Sequence, residues 1–287
     1  MFGILRAALA AASLSISWVG VVNAANPNGS APFGSEALTV MPGNRVTIPV
    51  AINGYGPFPC MVDTATSHTI IAAATSERLG LKPAVGSSTT VVTATGALAS
   101  GFYEVELAAA GAIVEVSGAV ALNVSPSLGI GCILGTDFLA NFTVDLDLPA
   151  GKLTLYPEAA RLKLSRLQWI KGQTNSHGLI VVPGIAERTR ISIVFDTGAH
   201  VTIGNMALAS ATGRAGRMVG RVADYKVLDL SRMPGPAEME TFSTVSAGVT
   251  EWRSQSALIA PMRVFDVLGL ARTPTLFAGI DMIAGRR

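Results

Sequence analysis

Apolar positions along this chain recur in short runs, not in long helical stripes. Residues 45–53 (RVTIPVAIN) and 178–185 (GLIVVPGI) read as strands of apolar and β-branched residues, and each precedes a second apolar run. Those second runs, residues 58–71 (FPCMVDTATSHTII) and 191–203 (ISIVFDTGAHVTI), share one order: apolar strand, Asp-Thr-small, polar turn, apolar residues. A short helix candidate follows each, at 72–80 and 205–213. Farther on, residues 133–139 (ILGTDFL) and 276–283 (LFAGIDMI) repeat an apolar-apolar-Gly element that leads into a short helix. Asp63 and Asp196 stand 133 residues apart and Gly135 and Gly279 stand 144 apart, so a loop 11 residues longer in the second copy absorbs the difference. Such self-similarity dictates architecture: two copies of one β-rich unit.

The first copy ends in a hairpin over 142–156 (FTVDLDLPAGKLTLY) that turns at Pro149-Ala150-Gly151. No such hairpin follows Gly279, so the second sheet is to be completed by the first lobe, by the amino-terminal segment or by a second molecule. The charged stretch 158–177 is the natural connector. The organisation expected is therefore a first lobe over 25–157, a connector over 158–177 and a second lobe over 178–287. Residues 1–24 carry one early charge at Arg6, then an apolar stretch, then Val22-Asn23-Ala24, the anatomy of a cleaved secretory signal. An uncleaved membrane anchor is the rival reading. After cleavage no spanning segment is expected, and the periplasm is the expected compartment.

Composition narrows the chemistry. Charged residues make up 14% of the chain and apolar ones 49%, which excludes disorder as the main theme. The formal net charge is +2 with no basic block, so no electrostatic footprint for nucleic acid is present. Two cysteines, Cys60 and Cys132, are too few for a Cys-rich zinc site, and the three histidines show no metal spacing. Neither a metal nor another cofactor is expected.

Taken with their spacing, the paired Asp-Thr-Ala/Gly and apolar-apolar-Gly elements resemble the aspartic proteases, in particular the two-lobed, retropepsin-like bacterial aspartyl proteases. The resemblance covers nearly all of residues 37–287. It implies a mainly β fold of two duplicated closed lobes with short helices. It also implies an endopeptidase that acts on a peptide or protein substrate through Asp63 and Asp196, which share one proton. Like charges about 3 Å apart do not both ionise cheaply, so such a pair holds a single proton over a wide pH range. The alternative is a catalytically weak or inactive relative that binds peptides in the cleft. A structural β protein in which each Asp only caps its turn is a third reading.

By the same resemblance Thr64 and Thr197 hold the two loops together across the lobes. Ala65 departs from the usual glycine, which Gly198 keeps. Ser67 is expected to hydrogen-bond the carboxylate of Asp63, whereas His200 stands at its place in the second copy. That difference either shifts which Asp holds the proton or is an outward side chain of no consequence. Gly135 and Gly279 belong to strands that pass the Asp loops, where only a residue without a side chain fits. Asp137 and Asp281 read as helix-start charges or N-caps. A lid is expected over residues 90–103, with Gly96 and Gly101 as flexible points. Its second-copy equivalent falls within 222–249, where Pro234-Gly235-Pro236 is expected to break any strand. Cys60 and Cys132 are either a disulfide or two buried thiols, and the oligomeric state is open between monomer and dimer.

Overall fold

The computed structural model describes residues 31–41, 45–92, 97–158, 170–213, 225–228 and 234–284. The expected leader over 1–24 and most of the connector lie outside the described residues. In the first lobe the chain forms β1 (Gly34–Ala37), β2 (Thr39–Met41), β3 (Arg45–Ile52), β4 (Tyr55–Val62), β5 (Ile70–Ala72), helix α1 (Ala73–Arg78), β6 (Thr89–Val92) and β7 (Ala97–Ser100). It continues with β8 (Phe102–Ala109), β9 (Ala112–Leu122), β10 (Cys132–Leu134), α2 (Thr136–Leu139), β11 (Phe142–Asp147) and β12 (Lys152–Pro157). The second lobe runs through β13 (Gln173–Thr174), β14 (Ile180–Ala186), β15 (Thr189–Phe195), β16 (Ile203–Gly204), α3 (Met206–Ala211), β17 (Tyr225–Leu228) and β18 (Pro234–Ala247). Then come β19 (Thr250–Ile259), α4 (Arg263–Val267), β20 (Thr275–Ala278) and α5 (Ile280–Ile283).

Each lobe is a closed sheet of six strands. In the first the order is β3-β4-β10-β5-β9-β8, with β8 returning to β3 and β2 added outside. In the second it is β14-β15-β20-β16-β19-β18, with β18 returning to β14. The repeat read in the sequence is thus a repeat of topology: β4 pairs β10 in parallel as β15 pairs β20, and β5 pairs β9 in parallel as β16 pairs β19. Patterning explains the placement. Strand β9 alternates buried Ala112, Val114 and Val116 with exposed Ile113, Glu115 and Ser117, one face inward and one to solvent. Strands β10 and β20 are buried at every position, as their unbroken apolar runs require at the centre of a barrel.

The two cysteines are joined. Cys60 and Cys132 face each other in the β4–β10 register and form a disulfide with Cα atoms 4.5 Å apart. A crosslink that closes a separation of 72 residues removes chain entropy worth about 4 kcal/mol from the unfolded state. The matching pair in the second lobe is Ile193 opposite Leu276, an apolar contact in the same place.

Four expectations are refined. The hairpin β11–β12 with β1 makes a separate three-stranded sheet, and its side chains Leu146 and Leu148, with Leu38, pack on the second-lobe core. The second sheet is thus completed by none of the three expected sources, since β18 closes it on β14; among the described residues the first lobe contributes side chains to its core and no strand. Gln173–Thr174 pairs with β14 and Ile170 packs on the same core, so the second sheet begins before residue 178. The lid is shorter than expected: β6 pairs β7 from Thr89 opposite Ser100 to Val92 opposite Ala97, while Phe102 and Tyr103 already belong to barrel strand β8. Its tip, Gly96 included, lies outside the described residues. Gly101 is not a hinge but a close approach, since a Cβ there would lie 2.6 Å from the Cβ of Pro83.

Pro234-Gly235-Pro236 does not break a strand. All three residues lie in β18, paired with β17 as a second hairpin. Pairing with β19 begins only at Glu238, so the prolines occupy a stretch with one open edge, where a missing N–H leaves no partner unsatisfied. Among the described residues no helix is long and apolar enough to cross a membrane.

Candidate active site

Two apolar strands deliver the acidic residues. Strand β4 ends at Val62 and β15 at Phe195, and the next residue in each case is Asp. The Asp63 N–H donates to the Leu134 carbonyl at 3.1 Å and the Asp196 N–H to the Ala278 carbonyl at 2.9 Å, so each loop starts pinned to the strand beside it. The loop ends are pinned in the same manner: the Thr136 N–H donates to the Thr66 carbonyl at 2.8 Å and the Ile280 N–H to the Ala199 carbonyl at 2.9 Å.

Gly135 and Gly279 pass directly under these loops. A Cβ on Gly135 would lie 2.6 Å from both the carbonyl carbon and oxygen of His68; on Gly279 it would lie 2.6 Å from the carbonyl carbon of Val201 and 2.7 Å from its oxygen. Both glycines have extended backbones, with φ of −91° and −78°, so space and not torsion demands glycine there.

The loops meet across the lobes through their threonines. The Thr64 N–H donates to Thr197 Oγ1 at 3.1 Å, and the Thr197 N–H donates to Thr64 Oγ1 at 3.2 Å. Each hydroxyl then donates past its partner, Thr64 to the Phe195 carbonyl at 2.6 Å and Thr197 to the Val62 carbonyl at 2.7 Å. This near-twofold set of four bonds brings the carboxyls of Asp63 and Asp196 to one place. Gly198 lies against Asp63 so closely that a Cβ on it would stand 2.5 Å from the carboxyl carbon.

Each carboxylate is taken up by its own turn. Asp63 Oδ1 accepts from the Ala65 N–H at 2.8 Å, and Asp196 Oδ1 accepts from the Gly198 and Ala199 N–H groups, both at 2.9 Å. Ser67 makes no bond to Asp63, contrary to expectation, because the turn carries it away while the backbone N–H groups of Ala65 and Thr66 occupy the carboxylate. His200 is exposed.

A further pair of contacts was not anticipated. Thr69 donates from both N–H and hydroxyl to Asp137, each at 2.7 Å, and Thr202 donates its hydroxyl to Asp281 at 2.7 Å. The same hydroxyls accept from Gly135 N–H at 3.3 Å and Gly279 N–H at 3.1 Å. Asp137 and Asp281 stand in the first turns of α2 and α5, as expected of helix-start charges, and Asp137 also accepts from the Phe138 N–H at 2.8 Å. Beyond that, each clamps the far end of its Asp loop to the crossing glycine. The signal was present in the sequence, since each Thr follows its Asp by six residues in both copies.

Residues 48–138 match the family model of aspartyl proteases. This chain carries an aspartyl protease domain. No curated protein matches. The match spans the first lobe from β3 into α2, and the second lobe repeats the protease lobe strand for strand, giving the two-lobed, pepsin-like fold of the aspartic proteases.

The electrostatics of the two carboxyls follow from their packing. Burial pushes the Asp63 carboxyl up to about 6, against lowering by the Ala65 and Thr66 N–H groups. Burial pushes Asp196 higher, to about 8, and the neighbouring Asp63 charge adds to the rise against the Ala199 and Gly198 N–H groups. Charge on one carboxyl thus disfavours charge on the other. Among the described residues no group of three or more His, Cys, Asp or Glu side chains is placed to hold a metal ion.

Proposed function

We propose that this protein is an exported aspartic endopeptidase in which Asp63 and Asp196 hold one proton between them. The observation that supports the reading is the reciprocal threonine bonding, which joins the two Asp turns of opposite lobes. In this arrangement the ionised carboxyl removes a proton from a water molecule as the oxygen attacks the peptide carbonyl. The protonated carboxyl donates to the carbonyl oxygen as it gains charge. The resulting gem-diol collapses when one carboxyl protonates the leaving nitrogen while the other takes the proton of a gem-diol hydroxyl, so the pair returns with its single proton. The backbone N–H groups of Ala65, Gly198 and Ala199 keep both carboxyls oriented throughout. Thr64, Thr197, Gly135 and Gly279 hold the loops and do not touch substrate.

Export is supported by the leader-like residues 1–24 and by the Cys60–Cys132 disulfide, which persists in an oxidising compartment such as the periplasm. The substrate is a peptide or protein segment laid across the two lobes under the β6–β7 hairpin.

A digest of a mixed peptide library by the purified protein from pH 3 to 8 tests the reading. Internal cleavage that a statine-type inhibitor stops and a metal chelator does not is the expected result. Absence of any cleavage over that range, with the protein folded, points instead to a peptide-binding relative.

A further inference from the structure

Away from both Asp loops, the first lobe carries a cavity of about 460 Å³ between helix α1, lid strand β7 and the end of β9. Leu98 and Leu122, with alanines of all three elements, form its apolar part. Four polar side chains complete the lining: Ser76 and Glu77 of α1, Tyr103 of β8, and Asn123. Ser76 is only 5% exposed, and polar side chains buried to that degree are ordinarily hydrogen-bonded. Among the described residues its hydroxyl has no partner, and neither do the Tyr103 hydroxyl, the Asn123 amide and the Glu77 carboxylate. No basic residue lines the cavity, and Arg78, next to Glu77, is drawn off to the Phe58 ring, 5.2 Å from its centroid.

The fold does not require these groups. Helices α1 and α3 hold the same place in the two copies, and 133 residues after Ser76 and Glu77 stand Ala209 and Ser210. Ala209 is fully buried in the second core. An alanine thus serves the inner position of this helix, whereas the first lobe places there a hydroxyl with nothing to bond, beside a carboxylate without a counter-ion. The cavity also adjoins the root of the lid. Ser100 Oγ accepts from the Ala121 N–H at 3.1 Å and ties the end of β7 to β9. Leu98 and Ala99, which line the cavity from β7, lie immediately before that tie.

We propose that this cavity binds an apolar primary amine and that its occupant holds the lid to helix α1. An ammonium group has three N–H donors and no acceptor. Glu77 supplies the opposite charge, and the oxygens of Ser76, Tyr103 and Asn123 supply further acceptors, so the bonds formed are charge-assisted. The body of the ligand removes Leu98 and Leu122 from water, in a volume within the range of small-molecule sites. An anion of the same shape meets Glu77 with no cation beside it and is repelled. The amine site is additional to the dyad and stands without it, since none of the lining residues belongs to an Asp loop.

The probe is 4-phenylbutylamine, with 4-phenylbutanol and 4-phenylbutyrate as its neutral and anionic counterparts, titrated into the 15N-labelled protein. The amine is expected to give saturable shifts at the amides of Ser76, Glu77, Ala99 and Asn123, with a dissociation constant on the order of 1 mM. The alcohol should bind about threefold more weakly, and the carboxylate should give no saturable shift. Glu77→Gln is expected to bring amine and alcohol to the same affinity. Ser76→Ala should weaken the amine about fivefold while leaving the urea midpoint unchanged, as the alanine of the second lobe implies. Amide hydrogen exchange in β6–β7 should slow in saturating amine. Three probes that act alike, no saturable shift up to about 20 mM amine, or a Glu77→Gln protein that keeps the preference for amine would overturn the site. Shifts centred on the Asp loops would place the probe in the cleft and overturn it as well. Hairpin exchange that the bound amine leaves unchanged overturns its hold on the lid. Peptide cleavage enters none of these readouts, so a failure of the dyad reading leaves them unaffected.

Discussion

Asp63→Asn and Asp196→Asn are each expected to lower kcat by about a thousandfold or more, and the double variant is expected to be no worse than either single. The expectation follows from one proton serving two carboxyls. An amide at either position removes the group that accepts the proton of water or the group that donates to the carbonyl, and the remaining carboxyl cannot perform both tasks. Groups that act as one unit are non-additive in this way, whereas two independent contributors would multiply. Fold is not at stake. Asn keeps an oxygen to accept from the Ala65 N–H at 63 and from the Gly198 and Ala199 N–H groups at 196, and the threonine bonds do not involve either carboxyl. Steady-state kinetics on one cleavable peptide, with circular dichroism to verify folding, checks this. Losses that multiply in the double variant would separate the two residues into unrelated roles.

Gly135→Ala and Gly279→Ala are expected to be severely damaging single-methyl additions. The new methyl in each meets backbone, His68 and Thr69 at 2.6–2.9 Å in one case and Val201 and Thr202 at 2.6–2.9 Å in the other. Backbone does not step aside as the end of a long side chain does. The loop that it belongs to is fixed at one end by Asp63 or Asp196, and at the other by Thr69 on Asp137 or Thr202 on Asp281. Relief therefore requires moving the Asp loop itself. A cost of about 3 kcal/mol or more is expected, in the range of severe overpacking, and surviving protein should show kcat reduced well before KM changes. Urea unfolding of the two variants, compared with the wild type, measures the first effect, and peptide kinetics the second. A midpoint within error of wild type would mean that the crossing is looser than the geometry requires.

Much of this site was legible because it is written twice. Asp63 and Asp196 stand out only as a pair, since a lone Asp-Thr-small turn is common. The repeated apolar-apolar-Gly at Gly135 and Gly279 then gives the strand order of both barrels. What escaped the sequence depends on contacts between distant segments. Ser67 was assigned by its place along the chain, but a tight turn decides which groups face the carboxylate, and backbone N–H groups win. Asp137 was legible as a helix-start charge because its helix is local, but its second role was not, since its partner Thr69 lies 68 residues away. Pro234 and Pro236 read as strand breakers because propensity does not reveal which edge of a strand is open. The second sheet was expected to need a strand from elsewhere, whereas β18 closes it on β14, and the packing of Leu38, Leu146 and Leu148 on its core escaped the sequence because burial between lobes leaves no periodic mark that differs from burial within one.

The central claim is that folding forces two carboxyls to share a proton, and the pH dependence of stability measures it without any substrate. Both carboxyls are raised in the folded protein, so between about pH 4 and pH 8 the folded state holds more protons than the unfolded one. Stability must then fall as pH rises through that window, and replacing both residues by Asn removes the fall. Chemical unfolding of the wild type and of the Asp63→Asn/Asp196→Asn double variant should give equal stabilities near pH 4. The variant should draw ahead as pH rises, by several kcal/mol at pH 8. Parallel curves across the whole window would contradict the account, because they would show two carboxyls that ionise without regard to burial or to each other.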